Sequence, residues 1–180
     1  MLQTSVKPMT ERRFLAIWPD TPTRCELERR LAALAPLPGR PAHPLDWQVT
    51  LIFLGALEPE RLACIDAVAG DAATRARSFD LELDRIGHFA RSRAPWCGPT
   101  RTPESLARLV TDLQAHLAGC GIEPEPRPYR PHLTLARKVR AVPALELHTP
   151  IGWTARELVL AHGVTGERPR YRIRHRYPLP

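Results

Sequence analysis

The segments QVTL (residues 48–51) and HLTL (residues 132–135) lie nearly half the chain apart and share one pattern. In each segment polar and apolar side chains alternate, and a loop that contains proline precedes it. Because alternate side chains of a strand share a face, each segment predicts a strand with a polar pair in front and aliphatic side chains behind. The repetition favours an internally duplicated fold in which the two polar pairs confront each other across a cleft.

Other hydrophobic patterns along the chain predict further strands and three helices. The predicted strands cover residues 13–18, 47–54, 79–84, 95–97, 132–136, 157–161 and 171–177, and the predicted helices cover residues 22–35, 59–68 and 103–117. Thr21 and Thr102 are candidate N-caps for the first and third helices. Several strands have one polar face and alternate irregularly with helices, so we expect an α+β fold built on antiparallel sheets.

The basic character of the chain indicates an anionic partner. The 180 residues carry a net charge of +7, and all but two of the 26 basic side chains are arginine. The arginine fork matches phosphate in a bidentate way, so nucleic acid or a phosphorylated small molecule fits this composition. Codon bias in a chain rich in alanine, arginine and proline is the simpler alternative.

Several functional classes are disfavoured by missing motifs. No apolar run is long enough for a membrane span, and no signal peptide is visible, so we expect a cytoplasmic protein. No Walker or dinucleotide-binding loop occurs. The cysteines form no CxxC pair, and we expect reduced, mostly buried thiols and no metal site. They are Cys25, Cys64, Cys97 and Cys120.

The two polar pairs suit chemistry on a phosphodiester. Hydrolysis needs a base for water, an acid for the leaving oxygen and donors for the non-bridging oxygens. His132 can transfer a proton near neutral pH, and the hydroxyls of Thr134 and Thr50 can hold phosphate oxygens. This reaction requires no metal or other cofactor.

From about Arg13 to Leu179 the sequence resembles the two-histidine phosphoesterase superfamily, in its branch of 2′-5′ RNA ligases and RNA 2′,3′-cyclic phosphodiesterases. RPYRPHLTLARK (residues 127–138) is the most specific match, VTLIFLG (residues 49–55) is the second, and RRFLAIWP opens the resemblance. The resemblance implies one bilobal domain over residues 1–180, with two pseudo-symmetric lobes of antiparallel sheet, helices outside and a central cleft.

The activity that the resemblance implies is opening of a terminal 2′,3′-cyclic phosphate on RNA to a 2′-phosphate, and some members also form 2′-5′ bonds in the reverse sense. The implied partner is an RNA or nucleotide with a cyclic phosphate end. We expect no cofactor, no membrane association and no obligate protein partner. Arg130 and Arg137 flank the second motif and are candidate ligands for phosphate or RNA, although strand parity turns Arg137 away from His132.

The first motif departs from the family pattern, because Gln48 occupies the position of a catalytic histidine. A carboxamide binds phosphate or water but cannot exchange a proton near neutral pH. His43 and His88 are the candidates for replacing the missing group. Three interpretations stay open: a slow cyclic phosphodiesterase, a silent binder of RNA ends or nucleotide phosphates, and a phosphodiesterase for another cyclic or ADP-ribose-derived phosphate.

The C-terminal strand has two interpretations. Its arginines alternate with other side chains and predict one wholly cationic face, which suits either an RNA-tracking surface or a charged sheet edge. The arginines are Arg170, Arg172, Arg174 and Arg176, and the alternating residues are Tyr171, Ile173, His175 and Tyr177.

Overall fold

A computed structural model describes residues 11–33 and 39–180 of the chain. The helices are α1 (Thr21–Ala33), α2 (Pro59–Arg75) and α3 (Glu104–Leu117). The strands are β1 (Arg12–Ile17), β2 (Arg40–Pro41), β3 (Val49–Ala56), β4 (Phe79–Phe89), β5 (Ala94–Gly98), β6 (Leu133–Thr134), β7 (Ala136–Arg137), β8 (Leu145–Ala155), β9 (Glu157–Gly163) and β10 (Tyr171–Pro178).

Eight of the strands form one antiparallel sheet in the order β10-β9-β1-β3-β6-β5-β4-β8, and β2 pairs with β7 beside it. Two groups of four strands meet at the centre of the sheet. There β3 pairs with β6, with Val49 opposite Leu133. The expected α+β fold with antiparallel strands is confirmed.

The main core lies between the sheet and the three helices. It joins Val49 and Leu133 of the central strands to Leu27 of α1, Ile65 of α2 and Leu113 of α3, all of them fully buried. Burial of this apolar surface is the dominant favourable term in folding. The helices therefore cover one face of the sheet.

A second apolar cluster occupies the opposite face of the sheet. Its buried members come from β1 and β9, and partly buried aromatic side chains pack against them. Ala16 in this cluster is paired with Thr50 of β3, so the cluster and the first polar pair share a face. The cluster consists of Phe14, Ala16, Val159 and Ala161, with Trp18, Tyr171 and Ile173 against it.

The helix starts differ from the predicted caps. The carboxylate of Asp20 accepts a hydrogen bond from the Thr23 N–H at 2.9 Å, so Asp20 and not Thr21 caps α1. Pro103 precedes α3 without a side-chain cap, so Thr102 does not cap that helix. The predicted end of the first helix at residues 34–36 and the N-terminal residues 1–10 lie outside the described residues.

The edge strand β8 is absent from the sequence prediction. Pro150 and Gly152 interrupt the hydrophobic pattern, and the first half of the strand is mostly exposed. A proline is tolerated in an edge strand because its missing N–H is not needed on the solvent side. Pairing of β8 with β4 supplies the order that the local pattern does not.

The expectation of reduced cysteines is wrong for one pair, because Cys64 and Cys120 form a disulfide with 5.8 Å between their Cα atoms. They are 56 residues apart, and the contact of α2 with the short turn after α3 brings them together. Cys97 is a buried free thiol, and burial raises its pKa to about 12. Cys25 is free and exposed.

Strand β10 lies at one edge of the large sheet but lacks the wholly cationic face that alternation predicts. A bulge between Ile173 and His175 reverses the alternation. Ile173 packs on the second apolar cluster, whereas His175 contacts Asp66 of α2 on the other side. Two arginines of this strand form ion pairs, Arg172 with Glu167 and Arg176 with Glu157.

Candidate functional site

The polar pairs of the two motifs lie at the starts of adjoining strands β3 and β6, on the face of the sheet away from the helices. Val49 faces Leu133 across the antiparallel β3–β6 pair, and both side chains belong to the main core. The neighbouring residues therefore point to the opposite face, with Thr50 beside His132 and Gln48 beside Thr134. All four side chains are half-buried. The structure thus brings together the four candidate catalytic residues.

A backbone hydrogen bond orients the His132 ring. Its Nδ1 lies 2.8 Å from the carbonyl oxygen of Arg130. Because a carbonyl can only accept, Nδ1 carries the proton of the neutral ring and Nε2 keeps the free lone pair. His132 can therefore accept a proton through Nε2.

Two aromatic rings border His132 on the side of β4 and β5. The Phe89 ring is perpendicular to the imidazole, with 4.8 Å between centroids, and the Trp96 ring lies 6.5 Å from it. Phe89 and Trp96 also stack on each other. Gly87 makes room for the indole, since a Cβ there would lie 2.2 Å from a Trp96 ring carbon.

The surroundings of His132 lower its pKa. Burial disfavours the imidazolium, and the positive charges of Arg130 and Arg137 act in the same direction. The hydrogen bond to the Arg130 carbonyl opposes this shift. The neutral form of His132 therefore persists to lower pH than in an ordinary histidine.

Both candidate phosphate ligands are exposed cations near His132. The chain leaves the large sheet after Thr134, so Arg137 lies on β7, opposite Arg40 of β2. Neither Arg130 nor Arg137 forms an ion pair with any residue that the structure describes. An anion bound at His132 would therefore meet two unneutralised guanidinium groups.

Asp46 is a residue of the site region that the sequence analysis missed. Its buried carboxylate accepts hydrogen bonds from the backbone N–H groups of Arg170 and Tyr171, at 2.8 Å and 3.1 Å. It thereby ties the turn before Gln48 to the start of β10. The only local signal was an aspartate two residues before the first motif, in DWQ.

Neither candidate replacement histidine is arranged like His132. His88 follows Gly87 and precedes Phe89, so it points to the opposite face of β4, where its Nε2 lies 3.0 Å from the Val139 carbonyl oxygen. His43 uses Nδ1 to accept the Leu45 N–H at 3.1 Å in the turn that precedes Trp47.

Within residues 11–33 and 39–180, no group of three or more His, Cys, Asp or Glu side chains is arranged to hold a metal ion. In the same part of the chain, no helix combines the length and apolar character needed to cross a membrane.

Sequence relatives of the chain are phosphodiesterases. It is 33% identical over 130 residues to the RNA 2′,3′-cyclic phosphodiesterase of Escherichia coli K12, covering 71% of this chain and 72% of that protein. It is 32% identical over 111 residues to the protein of the same name from Bacillus subtilis 168, covering 60% of each chain. These matches confirm the expectation of an enzyme of the hydrolase class.

Structural relatives agree with the sequence matches. Crystal structures of E. coli LigT with 3′-AMP and with phosphate have TM-scores of 0.84 and 0.79, with 29% and 28% identity. Each match covers 94% of this chain, and 98% and 97% of the respective LigT chain. The pattern of the 2′-5′ RNA ligase superfamily matches residues 25–167. The shared fold, the intact second motif and these matches show that the chain belongs to the 2′-5′ RNA ligase superfamily.

Proposed function

We propose that this protein opens the 2′,3′-cyclic phosphate at an RNA end and leaves a 2′-phosphate. The observation that carries the proposal is the Val49–Leu133 register, which puts Thr50, His132 and Thr134 on one face of adjoining strands. A base and two hydroxyl donors on one face form the binding half of a phosphodiesterase site. The names of the relatives supply the substrate class.

In the proposed mechanism, neutral His132 accepts a proton from water through Nε2, and the water oxygen attacks phosphorus. The bond between phosphorus and the 3′-oxygen breaks, and the 3′-oxygen takes up a proton to become a hydroxyl. The hydroxyls of Thr50 and Thr134 donate to the non-bridging oxygens as their charge increases. The low pKa of His132 supports a base role, because the unprotonated form is the one required.

Gln48 is the reason to expect a slow enzyme. It lies beside Thr134 on the neighbouring strand, where its amide can hydrogen-bond the phosphate but cannot protonate the leaving 3′-oxygen. Loss of one general acid reduces rates by about 10²- to 10⁴-fold. We therefore expect water to supply the final proton, with turnover well below that of a two-histidine site.

The same residue favours a second candidate function, a binder of RNA ends or nucleotide phosphates without turnover. Phosphate binding depends on hydroxyl and guanidinium donors, which Gln48 leaves intact. A phosphodiesterase for another cyclic phosphate is a variant of the first proposal. With the 5′-hydroxyl of a second RNA in place of water as the nucleophile, the same breakage of the bond between phosphorus and the 3′-oxygen would form a 2′-5′ bond, the reaction in the name of the superfamily.

Two further parts of the proposal concern the domain organisation and the ligands of the phosphate. We propose one bilobal domain, since a single sheet joins strands from both ends of the described chain. We propose Arg130 and Arg137 as ligands of phosphate or RNA. A cytoplasmic location stays a prediction from the sequence.

Turnover of a nucleoside 2′,3′-cyclic phosphate, followed by separation of 2′- and 3′-phosphate products, tests the proposed function. We expect slow formation of the 2′-phosphate alone, and its loss in His132→Ala. His148→Ala is the matched control, since His148 is an exposed histidine on edge strand β8. Activity retained in His132→Ala would place the chemistry elsewhere. Binding without turnover in the wild-type protein would favour the silent binder.

A further inference from the structure

The acidic residues are unevenly distributed along this basic chain. No aspartate or glutamate occurs between Asp84 and Glu104, nor between Glu125 and Glu146. These two segments contain β5, β6 and β7. They also contain His132 of the proposed site and the rings of Phe89 and Trp96 beside it. Their cationic residues are Arg85, Arg91, Arg93, Arg101, Arg127, Arg130, Arg137, Lys138 and Arg140.

Backbone contacts bring the two segments together at one end of the site. The N–H of Val139 donates to the carbonyl oxygen of Arg93 at 3.0 Å, which joins the β4–β5 turn to the residue after Lys138. Arg93 and Lys138 both have positive φ, at 49° and 61°. Such a backbone is uncommon for residues with a Cβ, and here both side chains are exposed cations.

The small β2–β7 sheet extends this positive surface. Arg40 lies directly opposite Arg137 in an antiparallel pair, where like charges destabilise the pairing. The guanidinium of Arg168 donates to the carbonyl oxygen of Pro41 at 2.9 Å, and this hydrogen bond places the Arg168 side chain beside Arg40. A continuous row of exposed cations therefore runs from the β4–β5 turn to the loop before β10. We call it the basic strip, and it consists of Arg93, Lys138, Arg137, Arg40 and Arg168.

None of the five side chains of the basic strip forms an ion pair with the described residues. Two exposed arginines on the helices differ in this respect, since Arg29 pairs with Glu26 and Arg108 pairs with Glu104. An unneutralised row with two cations opposed across strands has a repulsive cost, which a bound polyanion would offset.

The basic strip starts beside the catalytic residues. Leu135 follows Thr134 and bridges the two regions, because its N–H donates to Pro95 and its carbonyl accepts from Ala42, both at 2.9 Å. The charge of Arg137 lowers the pKa of His132, which shows that strip and site are electrostatically connected. An anionic chain held at His132 could therefore continue along the strip.

We propose that the basic strip binds the sugar-phosphate backbone of the RNA that precedes the cyclic phosphate end. The inference rests on the proposed function and deepens it, because it makes a cyclic-phosphate oligonucleotide a better substrate than a cyclic mononucleotide. A mononucleotide has no further phosphates for the strip. Contacts with phosphates give affinity without base preference, and they weaken as salt rises.

The first test compares two substrates in a triple charge-removal variant, Arg40→Gln with Arg93→Gln and Lys138→Gln. We expect the ratio of kcat/KM for a cyclic-phosphate oligonucleotide to that for a cyclic mononucleotide to fall tenfold or more. The matched control, Arg29→Gln with Arg108→Gln, removes exposed helix arginines and should leave the ratio unchanged. A ratio that stays at the wild-type value in the triple variant would overturn the proposal.

The second test does not depend on turnover, so it separates failure of the strip from failure of the proposed function. The affinity of the wild-type protein and of the triple variant for a fluorescent single-stranded oligonucleotide with a cyclic phosphate end is measured at increasing salt concentration. Each lost phosphate contact lowers the salt slope by about 0.7 for a single strand, so three cations give a decrease of about 2. An unchanged slope and affinity would overturn the proposal. So would a variant that loses binding to anionic lipid vesicles but not to RNA.

Discussion

The imidazole of His132, the residue that directly precedes central strand β6, stands perpendicular to the ring of Phe89, with 4.8 Å between the two centroids. Phe89 belongs to β4, which does not pair with β6, so strand β5 between them brings the two rings together. The contact excludes water from one side of the imidazole and contributes to the burial that lowers its pKa. The hydrogen bond to the Arg130 carbonyl leaves the lone pair on Nε2.

The pH dependence of activity follows from this environment. Because burial lowers the pKa of His132 below its ordinary value of 6.5, the base is unprotonated at lower pH than usual. We expect the acid limb of kcat/KM to lie below 6.5. Phe89→Ala admits water, raises the pKa of His132 and moves the acid limb to higher pH. The pH profile of hydrolysis measures both effects.

The matched control for the pH profile is Leu145→Ala, which removes an exposed apolar side chain at edge strand β8. It should leave the acid limb in place. A Phe89→Ala profile that coincides with the wild type would contradict the assignment of His132 as the base or of Phe89 as its shield.

We expect a histidine at position 48 to accelerate hydrolysis. Gln48→His places an imidazole beside Thr134, where it can donate a proton to the leaving 3′-oxygen. We expect the rate to rise by about 10²-fold or more. Steady-state turnover of a cyclic mononucleotide measures it. Gln114→His on α3 adds a histidine away from the sheet and should have no effect. An unchanged rate in Gln48→His would mean that another group already supplies the proton.

Gly87 provides the space for the Trp96 ring. A Cβ at this position would lie 2.2 Å from the indole, so Gly87→Ala must displace Trp96 and, with it, the wall beside His132. We expect the free energy of unfolding to fall by about 1–3 kcal/mol, with a loss of hydrolysis. Urea unfolding and turnover measure the two effects. Gly119→Ala is the control, because a Cβ there has nothing within 4 Å. Equal stability of the two variants would refute the tight contact.

Asp46 should stabilise the region around the first motif. Asp46→Ala leaves the N–H groups of Arg170 and Tyr171 without their acceptor in a partly buried place. We expect the free energy of unfolding to fall by about 1–3 kcal/mol, as measured by urea unfolding. Asp71→Ala removes an exposed carboxylate of α2 and serves as the control. If both variants lose the same small amount, the Asp46 hydrogen bonds contribute nothing.

Local periodicity was sufficient for much of the fold. Leu106, Leu109 and Leu113 recur at helical spacing, and α3 ends at Leu117 as predicted. Alternation of polar and apolar residues likewise predicted β4 from Phe79, although the strand continues to Phe89. These patterns work because the side chains of one element face the same core whatever the partner is.

Local periodicity was insufficient where order comes from a distant partner. Strand β8 is held by its pairing with β4 and has a weak pattern of its own. The disulfide joins Cys64 to Cys120 because the helices pack together, and no sequence motif predicts this pairing. The bulge after Ile173 reversed a face that simple alternation predicted to be uniform.

From its amino acids alone, the chain determined the chemical groups of the candidate site, since His132, Thr134, Thr50 and Gln48 occur in two strand-forming repeats. Only the tertiary structure decided that these repeats adjoin and that two aromatic rings border the imidazole. It also decided that a buried carboxylate lies next to the first motif. The physical reason is the separation along the chain of the residues that interact. Strand periodicity is a property of neighbouring residues, whereas the register, the pKa of His132 and the row of cations arise from contacts between segments far apart in the chain.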